Sequence, residues 1–107
     1  MTDKFGLKEK TIADIQQVFA AFPQIGQAII YGSRAKGTFK NGSDIDLTLI
    51  AGKEGSLDLT TQYKIEEALE ALMLPYQFDL SILETIENSN LLNHINRVGQ
   101  VFYQSCH

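Results

Sequence analysis

Three aspartates and one glycine-serine corner have the residue types and spacing for chemistry. Asp44 and Asp46 flank Ile45 at the mouth of an apolar run that reaches Ala51. Carboxylates at i and i+2 of a strand project from one face, about 6.6–7 Å apart along the chain. An apolar core gains nothing from two repelling charges at its lip. A pair of divalent cations about 3.5–4 Å apart does gain from them, because hard carboxylate oxygens suit Mg²⁺. Gly32-Ser33 ends an earlier apolar run, Ala28 to Tyr31. Glycine permits a sharp turn and close backbone approach, and Ser33 offers a hydroxyl and an N–H to an anion. Arg34, Lys36 and Lys40 add positive charge nearby. A phosphate-gripping corner beside a metal-gripping carboxylate pair points to a nucleoside triphosphate held with Mg²⁺.

Those residues must be positioned by regular elements, and the hydrophobic pattern supplies them. Leu7 to Phe22 reads as a helix, with Ile12, Ile15, Val18, Phe19 and Phe22 spaced by three and four. Pro23 ends it. Ile25 to Tyr31 is a strand whose near-continuous apolarity suggests burial on both faces. A short helical turn follows the corner, and Asn41-Gly42 is a strong turn dipeptide. Asp44 to Ala51 is the second strand, with Ile45, Leu47 and Leu49 on one face and Asp44, Asp46 and Thr48 on the other.

After an exposed loop at Gly52 to Gly55, Ser56 or Asp58 can cap a helix running to about Leu74. Ile65, Leu69, Leu72 and Met73 form its apolar stripe. Gln77 to Leu83 is the third strand, with Asp79 opposite in face to Phe78, Leu80 and Ile82. That alternation lets Asp79 meet Asp44 and Asp46 across neighbouring strands. Asn88 or Ser89 caps a last helix to about Val98, carrying Leu91, Leu92, Ile95 and Val98 on its apolar side. Gly99 suits a left-handed C-terminal cap. Val101 to Tyr103 is then either a short edge strand or a fraying helical turn. The expected fold class is α/β (α+β): a small mixed sheet with helices mainly on one face, in one domain over residues 1–107.

Gly32-Ser33, ten intervening residues and Asp44-Ile45-Asp46 resemble the motif of the DNA-polymerase-β-type nucleotidyltransferase superfamily. The short length resembles its minimal nucleotidyltransferase (MNT) branch, and Leu91 to Tyr103 resembles the closing segment of MNT domains. The resemblance implies a palm-like core, two Mg²⁺ ions on Asp44, Asp46 and a third carboxylate from a later strand, here Asp79. It implies Gly32, Ser33 and Arg34 at the nucleotide, with ATP as donor. It further implies an all-helical HEPN-domain partner, with the MNT component acting as antitoxin by attaching AMP to a tyrosine of the toxin. Three readings follow. The first is a protein nucleotidyltransferase. The second is a non-catalytic module that neutralises a helical partner by occlusion. The third, modification of a small hydroxylated molecule, needs a pocket that so short a chain hardly accommodates.

Composition narrows the field around this reading. The chain has 107 residues, 44% hydrophobic and 21% charged, as ordinary globular proteins do. Its net charge of −4 argues against a general nucleic-acid grip. No apolar run nears the roughly 20 residues of a membrane span, and Met1 to Phe5 lacks the build of a signal peptide. The lone Cys106 excludes a disulfide framework and points to a reducing cytoplasm. Self-association is left open. His94, with no second His or Cys near it in sequence, reads as a surface or partner-facing residue, and Tyr31 reads as core.

Overall fold

A computed structural model describes residues 4–40, 42–53 and 55–105. In chain order the elements are α1 (Glu9–Ala20), β1 (Ile25–Tyr31), the single turn α2 (Ser33–Lys36), β2 (Ile45–Ala51) and α3 (Leu59–Glu70). They continue with β3 (Phe78–Ile82), a 3₁₀ turn (Leu83–Thr85), α4 (Ser89–Val98) and β4 (Gln100–Gln104). The sheet is mixed, in the order β3-β2-β1-β4. β1 runs antiparallel to both β2 and β4, whereas β2 and β3 are parallel and joined by the α3 crossover. This is the mixed α/β architecture expected.

The core lies where the alternation places it. Ile45, Leu47 and Leu49 of β2 meet Ala28 and Ile30 of β1, with Ile15 and Phe19 of α1 and Ile65 and Leu69 of α3 closing over them. These helices cover one face. Ile30 and Tyr31 are consecutive and both buried, so the end of β1 is covered on both sides. On its other face α4 packs against β1, anchored by the buried Ile95.

Caps resolve the choices the sequence left open. The Asp58 carboxylate accepts from the Thr61 N–H at 2.8 Å and starts α3. The Asn88 side chain accepts from the Leu91 N–H at 3.1 Å and starts α4. Asn88→Ala is expected to destabilise the fold by about 1 kcal/mol, the usual scale for a lost N-cap; a shift of the urea midpoint measures it.

Two expectations are corrected. Met73 does not join the α3 stripe: the helix stops at Glu70, Met73 adopts φ +59°, and its side chain is exposed. The helical period no longer applies once the helix has ended. Gly99 is not left-handed either; its backbone is extended, at φ −65° and ψ 144°. Glycine is needed there for space, because a Cβ would collide with the Ile95 carbonyl and lie 2.8 Å from Ile29 Cγ2. The chain thus passes directly from α4 into β4, which settles Val101–Tyr103 as edge strand. Asn41 and Cys106 lie outside the described residues; Gly42, beside the former, takes φ +81° as a turn requires.

Both sheet edges carry a side-chain clip. Gln16 of α1 donates its amide to the Phe102 carbonyl of β4 at 2.8 Å. Gln62 of α3 does the same to the Leu80 carbonyl of β3 at 3.0 Å. Open strand edges invite pairing with other chains, and each clip occupies one acceptor of such an edge.

Candidate active site

The aspartates of β2 and β3 share one row of the sheet. Pairing sets Tyr31 beside Asp46 and Asp46 beside Asp79. Since adjacent strands lie about 4.8 Å apart, the two carboxylates are close neighbours on the face away from α1 and α3. Asp44 sits just before β2 on the rim and is exposed, as is Asp79. Asp46 is partly buried, and no described residue donates a hydrogen bond to it. Its carboxyl is pushed up to about 6 from an ordinary 3.8. Partial burial is the main cause, followed by the Asp79 and Asp44 charges, with Arg34 opposing.

The next row is neutral and polar. Ser81 Oγ donates to Thr48 Oγ1 at 2.9 Å, directly beneath the carboxylate pair. The Tyr31 hydroxyl shares a hydrogen bond with Ser81. Burial pushes this phenol above its usual 10; the Ser81 bond opposes that, and the Asp79 and Asp46 charges add to it. Tyr31 is therefore core, as expected, yet it forms one wall of the carboxylate row. Periodicity gives no sign of that double role, because it reports burial and not neighbours across strands.

Gly32 turns the chain from β1 into α2 at φ +77° and ψ −157°, a region that favours glycine. A Cβ built there would overlap Asp46 Oδ2, so the corner packs directly on the carboxylate. Gly32→Ala is expected to displace Asp46 and destabilise the chain by about 2 kcal/mol, combining backbone strain with overpacking. Thermal melts check the second effect. Ser33 follows as the first residue of the turn α2 and is only partly buried.

Arg34, which the resemblance implies at the nucleotide, is buried in the fold. It is 3% exposed. Its Nε and Nη2 donate to the Ser43 carbonyl at 3.1 and 2.8 Å, and Nη1 donates to the Phe5 carbonyl at 2.9 Å. The guanidinium also stacks on Tyr76 at 4.9 Å and Phe39 at 5.4 Å. It clamps the loop that delivers Asp44. Lys36 and Lys40 are exposed.

His94, which reads in the sequence as a surface or partner-facing residue, instead has a contact inside the chain. It is partly buried on α4, and its Nε2 accepts the Gly32 N–H at 3.1 Å, while its ring meets Tyr31 edge-on at 6.1 Å. Helical spacing could have flagged it, since position 94 lies three after Leu91 and four before Val98 on α4, but nothing local names its partner 62 residues away.

The donor set fits a hard divalent cation. Asp46, Asp79 and Asp44 offer only carboxylate oxygens, and their mutual repulsion is the strain that a cation relieves. Among the described residues, no three Asp, Glu, His or Cys side chains already converge as a ready-made cage. Concavity does not mark the site: a groove of about 780 Å³, lined by Pro23, Gly26, Gly52 and Gln104 among others, lies at the other end of β1 and β2.

The family profile described as polymerase beta, nucleotidyltransferase matches residues 13–106. The chain belongs to the polymerase-β nucleotidyltransferase family. No curated protein matches this nucleotidyltransferase chain significantly. Among solved structures, a chain of a toxin-antitoxin complex crystallised with AMP-PNP is 21% identical at TM-score 0.67, covering 94% of this chain and 76% of that one. A chain from the complex of a tri-AMPylated Shewanella oneidensis HEPN toxin with an MNT antitoxin is 16% identical at TM-score 0.64, covering 91% and 72%. A putative nucleotidyltransferase from Sulfolobus solfataricus is 15% identical at TM-score 0.53, covering 89% and 78%. At these identities the likeness is one of fold. Among the described residues no helix of this nucleotidyltransferase is long and apolar enough to cross a membrane.

Proposed function

We propose that this nucleotidyltransferase moves AMP from ATP onto a protein hydroxyl, with Mg²⁺, as the antitoxin of a HEPN-domain partner. The observation that carries the reading is the row in which the Gly32 corner packs on Asp46 and Asp46 faces Asp79. Membership of a nucleotidyltransferase family supports the reaction class. The fold neighbours solved with AMP-PNP and with an AMPylated HEPN toxin support the donor and the partner.

Asp46 and Asp79 would hold the metal, with Asp44 joining from the rim. Bound Mg²⁺ supplies charge neutralisation at the triphosphate and acidifies an acceptor hydroxyl. Ser33 offers its hydroxyl and N–H to the phosphates beside the carboxylate row. The acceptor oxygen attacks the α-phosphorus in line: a new P–O bond forms, the bond to the β-phosphate bridging oxygen breaks, and pyrophosphate leaves. The exposed Asp79 carboxylate accepts the proton of the hydroxyl. Tyr31, Ser81 and Thr48 form a neutral polar row next to the carboxylates.

The test is a pull-down from native lysate with ATP and Mg²⁺, using wild type and an Asp44→Asn/Asp46→Asn double variant. Intact masses of the partner are then compared. A partner that gains AMP only with wild type establishes the transferase. An unmodified partner held equally by both forms would move the function to occlusion.

A further inference from the structure

We infer that His94 is a positioning residue for nucleotide binding, one that holds the glycine-serine corner open to the phosphates from the far side of β1. This rests on the nucleotidyltransferase reading of the site and assigns a residue to it from outside the motif. Gly32 lies in a sterically restricted conformation with the Asp46 carboxylate pressed against it. Its N–H emerges at the end of β1, where Tyr31 is still paired to β2 and β4 pairs no further than Ile30. An N–H left there without an acceptor would be free to rotate the corner toward another turn. His94 Nε2 supplies the acceptor at 3.1 Å.

The geometry fixes more than one atom. A backbone N–H can only donate, so His94 Nε2 is the acceptor of this bond. The ring is held edge-on to Tyr31, whose hydroxyl is tied to Ser81, and Ile95 beside it is buried. The chain of contacts runs from α4 through His94 to Gly32, and through Tyr31 to the floor beneath Asp46 and Asp79. Because Gly32 N–H is already engaged, Ser33 is the corner residue that faces the phosphates. His94 acts through its bond to Gly32.

Three chains decide the matter: wild type, His94→Leu, which keeps bulk without an acceptor, and His94→Gln, which restores one. Each is titrated with Mg²⁺ and ATP by calorimetry, and the Gly32 amide is followed by ¹⁵N NMR hydrogen exchange. His94→Leu is expected to bind ATP about tenfold more weakly, the scale of one buried donor left unpaired. Its Gly32 amide should exchange faster by a similar factor. His94→Gln is expected to recover both to within about threefold, which a loss of packing alone would not allow. Unchanged or tighter ATP binding in His94→Leu overturns the inference, tighter binding meaning that the imidazole blocks a phosphate place. A leucine defect that glutamine leaves unrescued also overturns it. Failure of wild type to bind ATP at all would sink the parent reading instead, while the exchange data still report on the Gly32 contact.

Discussion

Replacing Asp46 with Asn is expected to abolish nucleotidyl transfer, by about a thousandfold or more, and yet to make the ligand-free chain more stable. The loss follows from the position of Asp46 as the central carboxylate of the row and from the scale of removing one preorganised electrostatic group. The gain follows from linkage. Folding raises the Asp46 carboxyl from an ordinary 3.8 to about 6. The folded state therefore binds this proton more tightly than the unfolded one, and stability from this group is full below about pH 4. It is lost as pH climbs through about 6, then stays level. Asn mimics the neutral acid at every pH and skips the decline. Discounting for the solvent that reaches Asp46, the advantage above pH 6 is about 1 kcal/mol, or about 4 °C in melting temperature. Melts of both proteins from pH 4 to 8 should converge in acid and separate near neutrality. Millimolar Mg²⁺ should then raise wild type and leave the variant unmoved. A variant that melts below wild type at pH 7.5 would show that Asp46 is held by bonds and not strained by charge.

The largest stability loss among single surface-loop or site residues is expected at Arg34. Arg34→Ala removes three charge-assisted hydrogen bonds and two ring contacts together. It strands the Ser43 and Phe5 carbonyls in a place water reaches poorly. The sum is about 3 kcal/mol, within the range for a buried polar hub. Arg34→Lys should recover less than half, because an ammonium cannot serve two carbonyls in a fork or stack flat on Tyr76 and Phe39. Urea denaturation measures both. Because Ser43 precedes Asp44, transfer should fall in Arg34→Lys even where the chain is fully folded. A lysine variant matching wild type in both readouts would reduce the clamp to a simple charge.

Much of this was legible in the residues. Alternation alone placed Asp46 and Asp79 opposite the core face, and the register puts them side by side. The apolar spacings located α1, α3 and α4, and Gly32-Ser33 marked the corner. What the sequence withheld was three-dimensional in kind. Arg34 reads as a surface cation because nothing in a string of letters shows that Tyr76 and Phe39 will sandwich it. His94 reads as unattached because its acceptor role exists only once α4 lies against β1. Gly99 after a helix reads as a left-handed cap, whereas the need is for room beside Ile29 and Ile95. Local rules capture what neighbours in sequence impose; these three are imposed by neighbours in space.

The parallel pairing of β2 with β3 has a consequence in time. Asp79 reaches Asp46 only after α3 has crossed over and a contact 33 positions apart in sequence has closed. His94 reaches Gly32 across 62 positions. Contacts of such separation form late, after the local helices and the β1–β2 hairpin. A chain emerging from the ribosome therefore carries the Gly32–Asp46 half of the site well before it carries a carboxylate pair or a fixed corner. On the proposed function, the carboxylate pair and the fixed corner are thus the last parts of the site to assemble.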